Sequence, residues 1–325
     1  MKSCSLLFKI LSFSILTIQL SAQNKPSLHI KADTLSTNKL ALNFLVVGDW
    51  GRNGEFNQKL VADEMGKAAA KINAKFVVST GDNIYPSGVI SEFDPGFHYS
   101  FENIYTASSL QCDWYLVLGN HDYKTNPDAE IAYSKISRRW KMPARYYSKK
   151  FYINKDTSQQ VLMVFIDTNP FYKEYYRDPE FNPDVRTQDT TAQKKWMENI
   201  LSDTSSRIKW KIVVAHHPLY TGGYRKLNPD ISALRGSLKN IMDKYNVDLY
   251  LSGHEHSLQH IVPPGKTQYF ISGAGSELTT ANLLPESKFA KSENGFMAFS
   301  VTSNKLLVQV INYKGEILYK TSISK

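Results

Sequence analysis

Cysteine is almost absent from this chain. Of its 325 residues only Cys4 and Cys112 carry a thiol. Cys4 falls in an N-terminal segment that reads as removable, so no intrachain disulfide is available and the fold must rest on its core. A long apolar run is also missing. Lys2 and Lys9 flank the n-region, Ile10 to Leu20 is apolar, and Ser21-Ala22-Gln23 resembles a signal-peptidase site. That stretch is short for a bilayer span. The expectation is a signal peptide over residues 1–22, an N-terminal extension over 23–40 and one domain over 41–325. The protein would then be secreted or periplasmic, monomeric, and without an integral membrane segment once the leader is gone. Runs of Lys and Arg, repeats and low-complexity tracts are lacking too. The formal charge of +9 falls to +7 when Lys2 and Lys9 leave with the leader, and the rest is scattered. A nucleic-acid face is therefore unsupported, while a positive field favours an anionic substrate.

What the chain does have is a series of short apolar runs, each closed by a polar cluster. They are "LNFLVVGDWG" (42–51), "KFVVSTGDNIYPSG" (75–88), "DWYLVLGNHD" (113–122), "VLMVFIDTNP" (161–170), "WKIVVAHHP" (210–218) and "DLYLSGHEH" (248–256). Runs of this kind predict strands covered on both faces. Helical spacing appears between them: Leu60, Val61, Met65, Ala68 and Ile72 form one stripe, and Ile231, Leu234, Leu238, Ile241 and Met242 another. "QYFISGAG", "GFMAFSV", "KLLVQVIN" and "EILYKTSI" read as consecutive closing strands. The fold class that follows is α/β, a four-layer α/β/β/α sandwich of mixed sheets.

Open α/β sheets build ligand sites beyond the C-terminal ends of their strands. Asp49, Asp82, Asn120, His216, His254 and His256 all stand at such ends. Histidine is scarce, yet five of the eight, His121, His216, His217, His254 and His256, fall within three of these motifs. Asp and His together suit a borderline metal, and a carboxylate can bridge two ions. If the "GHEH" segment is extended, His254 and His256 project to the same side and can approach one cluster together.

The order G-D, G-D-x-x-Y, G-N-H-D, an internal His and then G-H-x-H resembles the calcineurin-like metallophosphoesterase superfamily. Generic members carry a His two places after the first Asp, where this chain has Gly51. With Tyr85 in "GDNIY", the pattern is similar to the purple acid phosphatases. "GDWG", "GDNIYPSG", "VLGNHD", "IAYSKISRRW" and "SGAG" resemble the small, tartrate-resistant branch. The resemblance implies a binuclear centre: Fe(III) held by Asp49, Asp82, Tyr85 and His256, and a divalent Fe, Zn or Mn held by Asp82, Asn120, His216 and His254. Phenolate and carboxylate are hard donors suited to the ferric ion, which agrees. It further implies an acid phosphatase that hydrolyses small phosphate monoesters, with hydroxide carried by the metals as nucleophile. His121 would stabilise the phosphoryl group or protonate the leaving oxygen, and Asp122 would orient it.

This chain departs from the animal pattern in two places. No His lies between His217 and His254, so a substrate-side His has no counterpart there. Asn120, His121, His217 and Arg225 are the substrate-binding candidates, with Tyr224 beside them. The second departure is the stretch 169–190, whose aromatics either meet organic substrates or hold the loop down. Competing readings are a phosphodiesterase or pyrophosphatase with the same metals, and a non-catalytic metal- or phosphate-binding protein.

Overall fold

Each of the six apolar runs forms a strand in the structure, a computed structural model that describes residues 34–325. The leader read over residues 1–22 lies outside the described residues. The first half contains β1 (Leu42–Val47), α1 (Gln58–Ile72), β2 (Phe76–Ser79), β3 (Asp113–Leu116), α2 (Pro127–Tyr133) and β4 (Trp140–Lys141). The hairpin β5 (Tyr147–Ile153) and β6 (Asp156–Phe165) follows, then α3 (Asn182–Arg186), α4 (Thr190–Leu201), β7 (Ile208–Val214) and α5 (Pro229–Lys244). The chain closes with β8 (Leu249–Ser252), β9 (Leu258–Ile261), β10 (Gln268–Ser272), β11 (Ser287–Lys291), β12 (Gly295–Val301), β13 (Lys305–Asn312) and β14 (Ile317–Ser324). The closing strands are thus not simply consecutive. β9 precedes β10, and β11 intervenes before β12; β11 is short and half-exposed, which is why the apolar pattern passes over it.

Two seven-stranded mixed sheets result, ordered β14-β13-β12-β1-β2-β3-β4 and β11-β9-β10-β8-β7-β6-β5. β1 to β4 run parallel in the first, and β6, β7, β8 and β10 run parallel in the second. An aromatic layer joins their faces. Phe44 stacks between Phe76 and Phe299 at 5.0 Å each. Phe76 stacks in turn on Phe151 of β5 at 4.1 Å, and Phe299 meets Phe270 of β10 edge-on. Side chains alternate along a strand, so the other face of β1 is left for a helix, and α1 packs against β1 and β12. α4 covers β6 on the second sheet. This is the α/β/β/α layering that the sequence predicts.

The α1 stripe is narrower than its spacing suggests, because Val61, Met65, Ala68 and Ile72 are buried but Leu60 faces solvent. The α5 stripe is buried throughout. Side-chain caps fix two helix starts: Asp189 accepts from the backbone N–H groups of Thr191 and Ala192, and Asn228 accepts from that of Asp230. Each such cap is worth about 1 kcal/mol. The region read as an N-terminal extension is partly bound to the domain, since Ser36 exchanges backbone hydrogen bonds with the Gln309 side chain on β13. Among the described residues, no helix is long and apolar enough to cross a membrane.

Candidate metal centre

The C-terminal ends of β1, β2 and β3 from one sheet and β7 and β8 from the other meet at one place. Their sharp exits set the site. Asp49, Asp82 and His254 all take left-handed backbone conformations, with φ of 57°, 51° and 67°, a strain of order 1–3 kcal/mol each that surrounding contacts must offset. One such contact is direct: the His254 backbone N–H donates to both carboxylate oxygens of Asp49 at 3.0 Å. Between Asp49 and Gly51, Trp50 is fully buried against Phe101, Tyr105, Trp114 and Trp140 and donates its indole N–H to Ser79 at 2.9 Å. "GDWG" therefore carries an anchor as well as a donor.

Gly51 sits where the first two loops cross. A Cβ there would stand 1.8 Å from the Asn83 carbonyl oxygen and 2.9 Å from the Ile84 Cα. The crossing is bonded as well, since the Tyr85 N–H donates to the Gly51 carbonyl at 2.8 Å. Gly119 plays a similar part at the third loop, where a Cβ would meet the backbone nitrogen and a carboxylate oxygen of Asp82 at 2.1 and 2.2 Å.

The side chains converge. The Tyr85 hydroxyl lies 2.8 Å from Asp82 Oδ2, 3.4 Å from Asp49 Oδ1 and 3.1 Å from His256 Nε2. The other Asp82 oxygen, Oδ1, stands 3.4 Å from His216 Nε2. His216 Nε2 and His254 Nδ1 lie 3.0 and 2.9 Å from Asn120 Oδ1 and 3.2 Å from each other. All seven expected metal ligands are thus brought together, with Asp82 between two groups of donors.

The electrostatics of this cluster call for cations. His216 donates from Nδ1 to the Thr80 carbonyl at 2.9 Å, so in the neutral ring Nε2 presents a lone pair toward the Asn120 oxygen. With the amide oxygen turned this way two acceptors face each other, an arrangement that a positive ion between them stabilises. Burial lowers the pKa of His216, of His254 and, to about 4, of His256, which keeps all three neutral and ready to ligate. Burial and the Asp82 charge push Asp49 well above the usual carboxylate range. Burial, with the Asp82 and Asp49 carboxylates, also pushes the Tyr85 phenol well up. Positive charge at these oxygens is what would return both to their anionic forms. The residues present fit a pair of metal ions.

The calcineurin-like phosphoesterase family pattern matches residues 42–258. Purple acid phosphatase 7 of Arabidopsis thaliana is 38% identical over 294 residues, which cover 88% of this chain and 87% of that protein. The chain belongs to the purple acid phosphatases. Tartrate-resistant acid phosphatase type 5 of Homo sapiens is 30% identical over 314 residues, covering 88% of this chain and 91% of that one. The solved structure of purple acid phosphatase PPD1 from yellow lupin (Lupinus luteus) seeds matches the fold with a TM-score of 0.65 at 16% identity, over 87% of this chain and 54% of that one. The protein is a metal-dependent acid phosphatase with a binuclear metal centre, and its substrates are small phosphorylated molecules.

Around the phosphatase's ligands the remaining candidates divide. His121 is half-buried; its backbone N–H donates to Asp82 Oδ1 at 2.8 Å, its ring lies 4.4 Å from that of Tyr85, and its Nδ1 donates to the Pro86 carbonyl at 2.5 Å. Pro86, not Asp122, is the partner that orients this imidazole. The Asp122 carboxylate instead accepts from the backbone N–H groups of Asn83, Ile84 and Gly119, clamping the second loop to the third. Burial, with the nearby Asp82 charge, lifts Asp122 to about 6.

His217 is a second correction. It is fully buried, with Nδ1 2.8 Å from Thr168 Oγ1 and Nε2 2.9 Å from the Tyr175 hydroxyl, so both ring nitrogens face protein partners rather than a substrate. Its ring lies 4.0 Å from Tyr172 and 4.4 Å from His254. The aromatics of the 169–190 loop settle the choice left open above: Tyr172, Tyr175 and Phe181 are buried and stack on one another, holding the loop down behind the ligands. Arg225 stays at the rim, three-quarters covered, donating to the His254 carbonyl at 3.0 Å with its guanidinium over the exposed Tyr224 ring.

The "GHEH" geometry also differs from the alternation argument. β8 ends at Ser252, and His254 follows in a left-handed bend rather than a strand. The two histidines approach the cluster through that bend, one toward Asn120 and His216, the other toward Tyr85 and Asp49.

Three contributors escape the motif reading. Thr168 stands at the end of β6 inside "IDTNP", a strand-end cluster that could have been included on position alone. Asn83 lies next to Asp82 and donates through Nδ2 to the Val117 carbonyl and to the buried Glu130, at 2.9 Å each. Arg52, directly after "GDWG", places its guanidinium 3.8 Å above the Tyr85 ring.

Proposed function

We propose that this protein is an exported acid phosphatase that hydrolyses phosphate monoesters, with Fe(III) held by Asp49, Asp82, Tyr85 and His256 and a divalent ion held by Asp82, Asn120, His216 and His254. The observation that carries it is the position of the Asp82 carboxylate. One oxygen faces the Tyr85 hydroxyl at 2.8 Å and the other faces His216 at 3.4 Å. A single carboxylate thereby serves a hard anionic donor set on one side and a neutral nitrogen and amide set on the other. When bound, the two cations supply charge neutralisation at the phosphoryl oxygens and activation of water.

The protein's own groups do the rest. His121, fixed through Nδ1–H by the Pro86 carbonyl, acts in its doubly protonated form: the imidazolium gives its Nε2 proton to the leaving oxygen late in P–O cleavage and is left as the neutral Nδ1–H ring. The Asn120 amide stands beside the same centre. Arg225 presents an always-charged guanidinium at the rim, suited to drawing in and orienting an anion. The buried Tyr172, Tyr175 and His217 stack keeps the ligand histidines in place and water out from behind. The leader read over residues 1–22 supports export, with residues 41–325 as the catalytic domain.

The test combines elemental analysis, visible absorbance and a phosphatase assay on freshly purified protein. Two metals per chain, at least one of them iron, a charge-transfer band lost in Tyr85→Phe, and faster turnover of monoesters than of diesters or pyrophosphate are expected. Full activity with zinc alone would overturn the ferric assignment; faster diester or pyrophosphate hydrolysis would overturn the substrate class.

A further inference from the structure

We propose that Arg52 is a positioning residue that acts through Tyr85: its guanidinium fixes the plane of the ring and stabilises the negative charge that the phenol oxygen carries when it holds ferric iron. The inference rests on the ferric assignment made above and deepens it.

Four observations converge on this role. The guanidinium carbon lies 3.8 Å from the Tyr85 ring centroid, close enough for face-on stacking. The contact is partly desolvated, since Tyr85 is buried and the Arg52 side chain is only 18% exposed. Stacking of this kind is stronger away from water. The guanidinium is also tethered: Nη2 meets Glu277 Oε2 at 2.5 Å, and the Phe56 ring lies 5.2 Å from its carbon. Its backbone is held too, because the Arg52 N–H bonds to the Gln58 side-chain oxygen at 2.9 Å, and the adjacent Gly51 carbonyl accepts from Tyr85. The loop crossing thus fixes where the Arg52 side chain starts, and Glu277 and Phe56 hold its far end over the ring. On the same ring, His121 makes the other close contact at 4.4 Å. Tyr85 is thus held by one permanent cation and one imidazole.

The electrostatic consequence has a definite sign. A fixed positive charge beside the phenolate lowers the energy of its donor electrons. The gap to the empty iron orbitals widens, which places the charge-transfer band at shorter wavelength. The same charge weakens donation to the metal and so favours the ferrous form on reduction. Removing it should move the band to longer wavelength and lower the iron midpoint potential.

The experiment uses the metal-loaded full protein and three variants: Arg52→Met and Arg52→Gln, both neutral, and Arg52→Lys, which keeps the charge. Visible absorbance, metal content, circular dichroism and the iron midpoint potential are measured for each. A band displaced to longer wavelength with a lowered potential in a neutral variant that retains two metals, and a smaller displacement in Arg52→Lys, is the expected result. A band unmoved in a neutral variant with full metal content overturns the inference and leaves the ferric assignment standing. Absence of any band in the iron-loaded parent protein overturns the ferric assignment, and the inference falls with it. Unfolding of both neutral variants assigns Arg52 to the fold alone and likewise overturns it.

Discussion

His216 Nε2 and His254 Nδ1 face each other across 3.2 Å, each within 3.0 Å of the Asn120 side-chain oxygen. One nitrogen comes from the β7 exit and the other from the β8 exit, so neighbouring strands of one sheet supply half of the donor set proposed for the divalent ion. His256, two places further on, points instead to Tyr85 at 3.1 Å. His254→Ala should therefore release the divalent ion, retain the charge-transfer band, and recover partly with added metal. His256→Ala should disturb the band itself. Loss of metal affinity should exceed the roughly 10- to 100-fold that removal of an outer partner costs. Metal stoichiometry and absorbance of the two variants check this; wild-type metal content and activity in both would remove the pair from the centre.

His121→Ala should reduce turnover by about 10²- to 10⁴-fold, the range for a positioned acid or base, while metal content is preserved. The loss should be smaller for nitrophenyl phosphate than for alkyl phosphates, because a good leaving group needs less protonation. Equal losses across leaving groups would assign the imidazole to orienting phosphate instead. Steady-state kinetics on a leaving-group series decides between them.

Glu102 offers a prediction about acid stability away from the metals. Burial raises its pKa, but the charged hydrogen bond from Arg139 at 2.6 Å and hydroxyl bonds from Ser137 and Tyr133 outweigh it, so the group is held below the usual carboxylate range. A carboxylate depressed on folding contributes stability that is present above its unfolded value and lost as pH falls through its folded value. Glu102→Gln should cost about 1–3 kcal/mol near neutral pH, where a charged hydrogen bond is lost. The gap to the parent protein should narrow below about pH 4.3, the ordinary value for Glu. Denaturant melts of both proteins as a function of pH measure it; a gap constant from neutral pH to below that range would sink the argument.

The proposed metal ligands were legible because each follows a short apolar run, where the backbone leaves a covered strand and has little else to do with a polar side chain. The layers were legible for the same reason, since a strand buried on both faces demands a partner on each. Other features depend on tertiary placement and leave no local mark. Leu60 has the right spacing for the α1 stripe, yet that stripe is too narrow to include it. His217 looks like its neighbour His216 in sequence, but the neighbouring side chain points the other way into Thr168 and Tyr175. Asp122 serves backbone N–H groups from two loops, a task set by where those loops cross. The joint approach of His254 and His256 was anticipated, but by the wrong route: a left-handed bend achieves what strand alternation was expected to do.

The loop crossing at Gly51 has an implication for how the choice of metal ligand can change. With the Asn83 carbonyl oxygen where a side chain at position 51 would begin, a histidine at that position and the present path of the Tyr85 loop exclude each other sterically. The two alternatives cannot be blended one substitution at a time. Gly51→His alone would drive the second loop away before its imidazole reached any ion, and Tyr85→Phe alone would leave no room for a replacement donor. Exchanging a phenolate donor at position 85 for an imidazole at position 51 would therefore require both loops to move together.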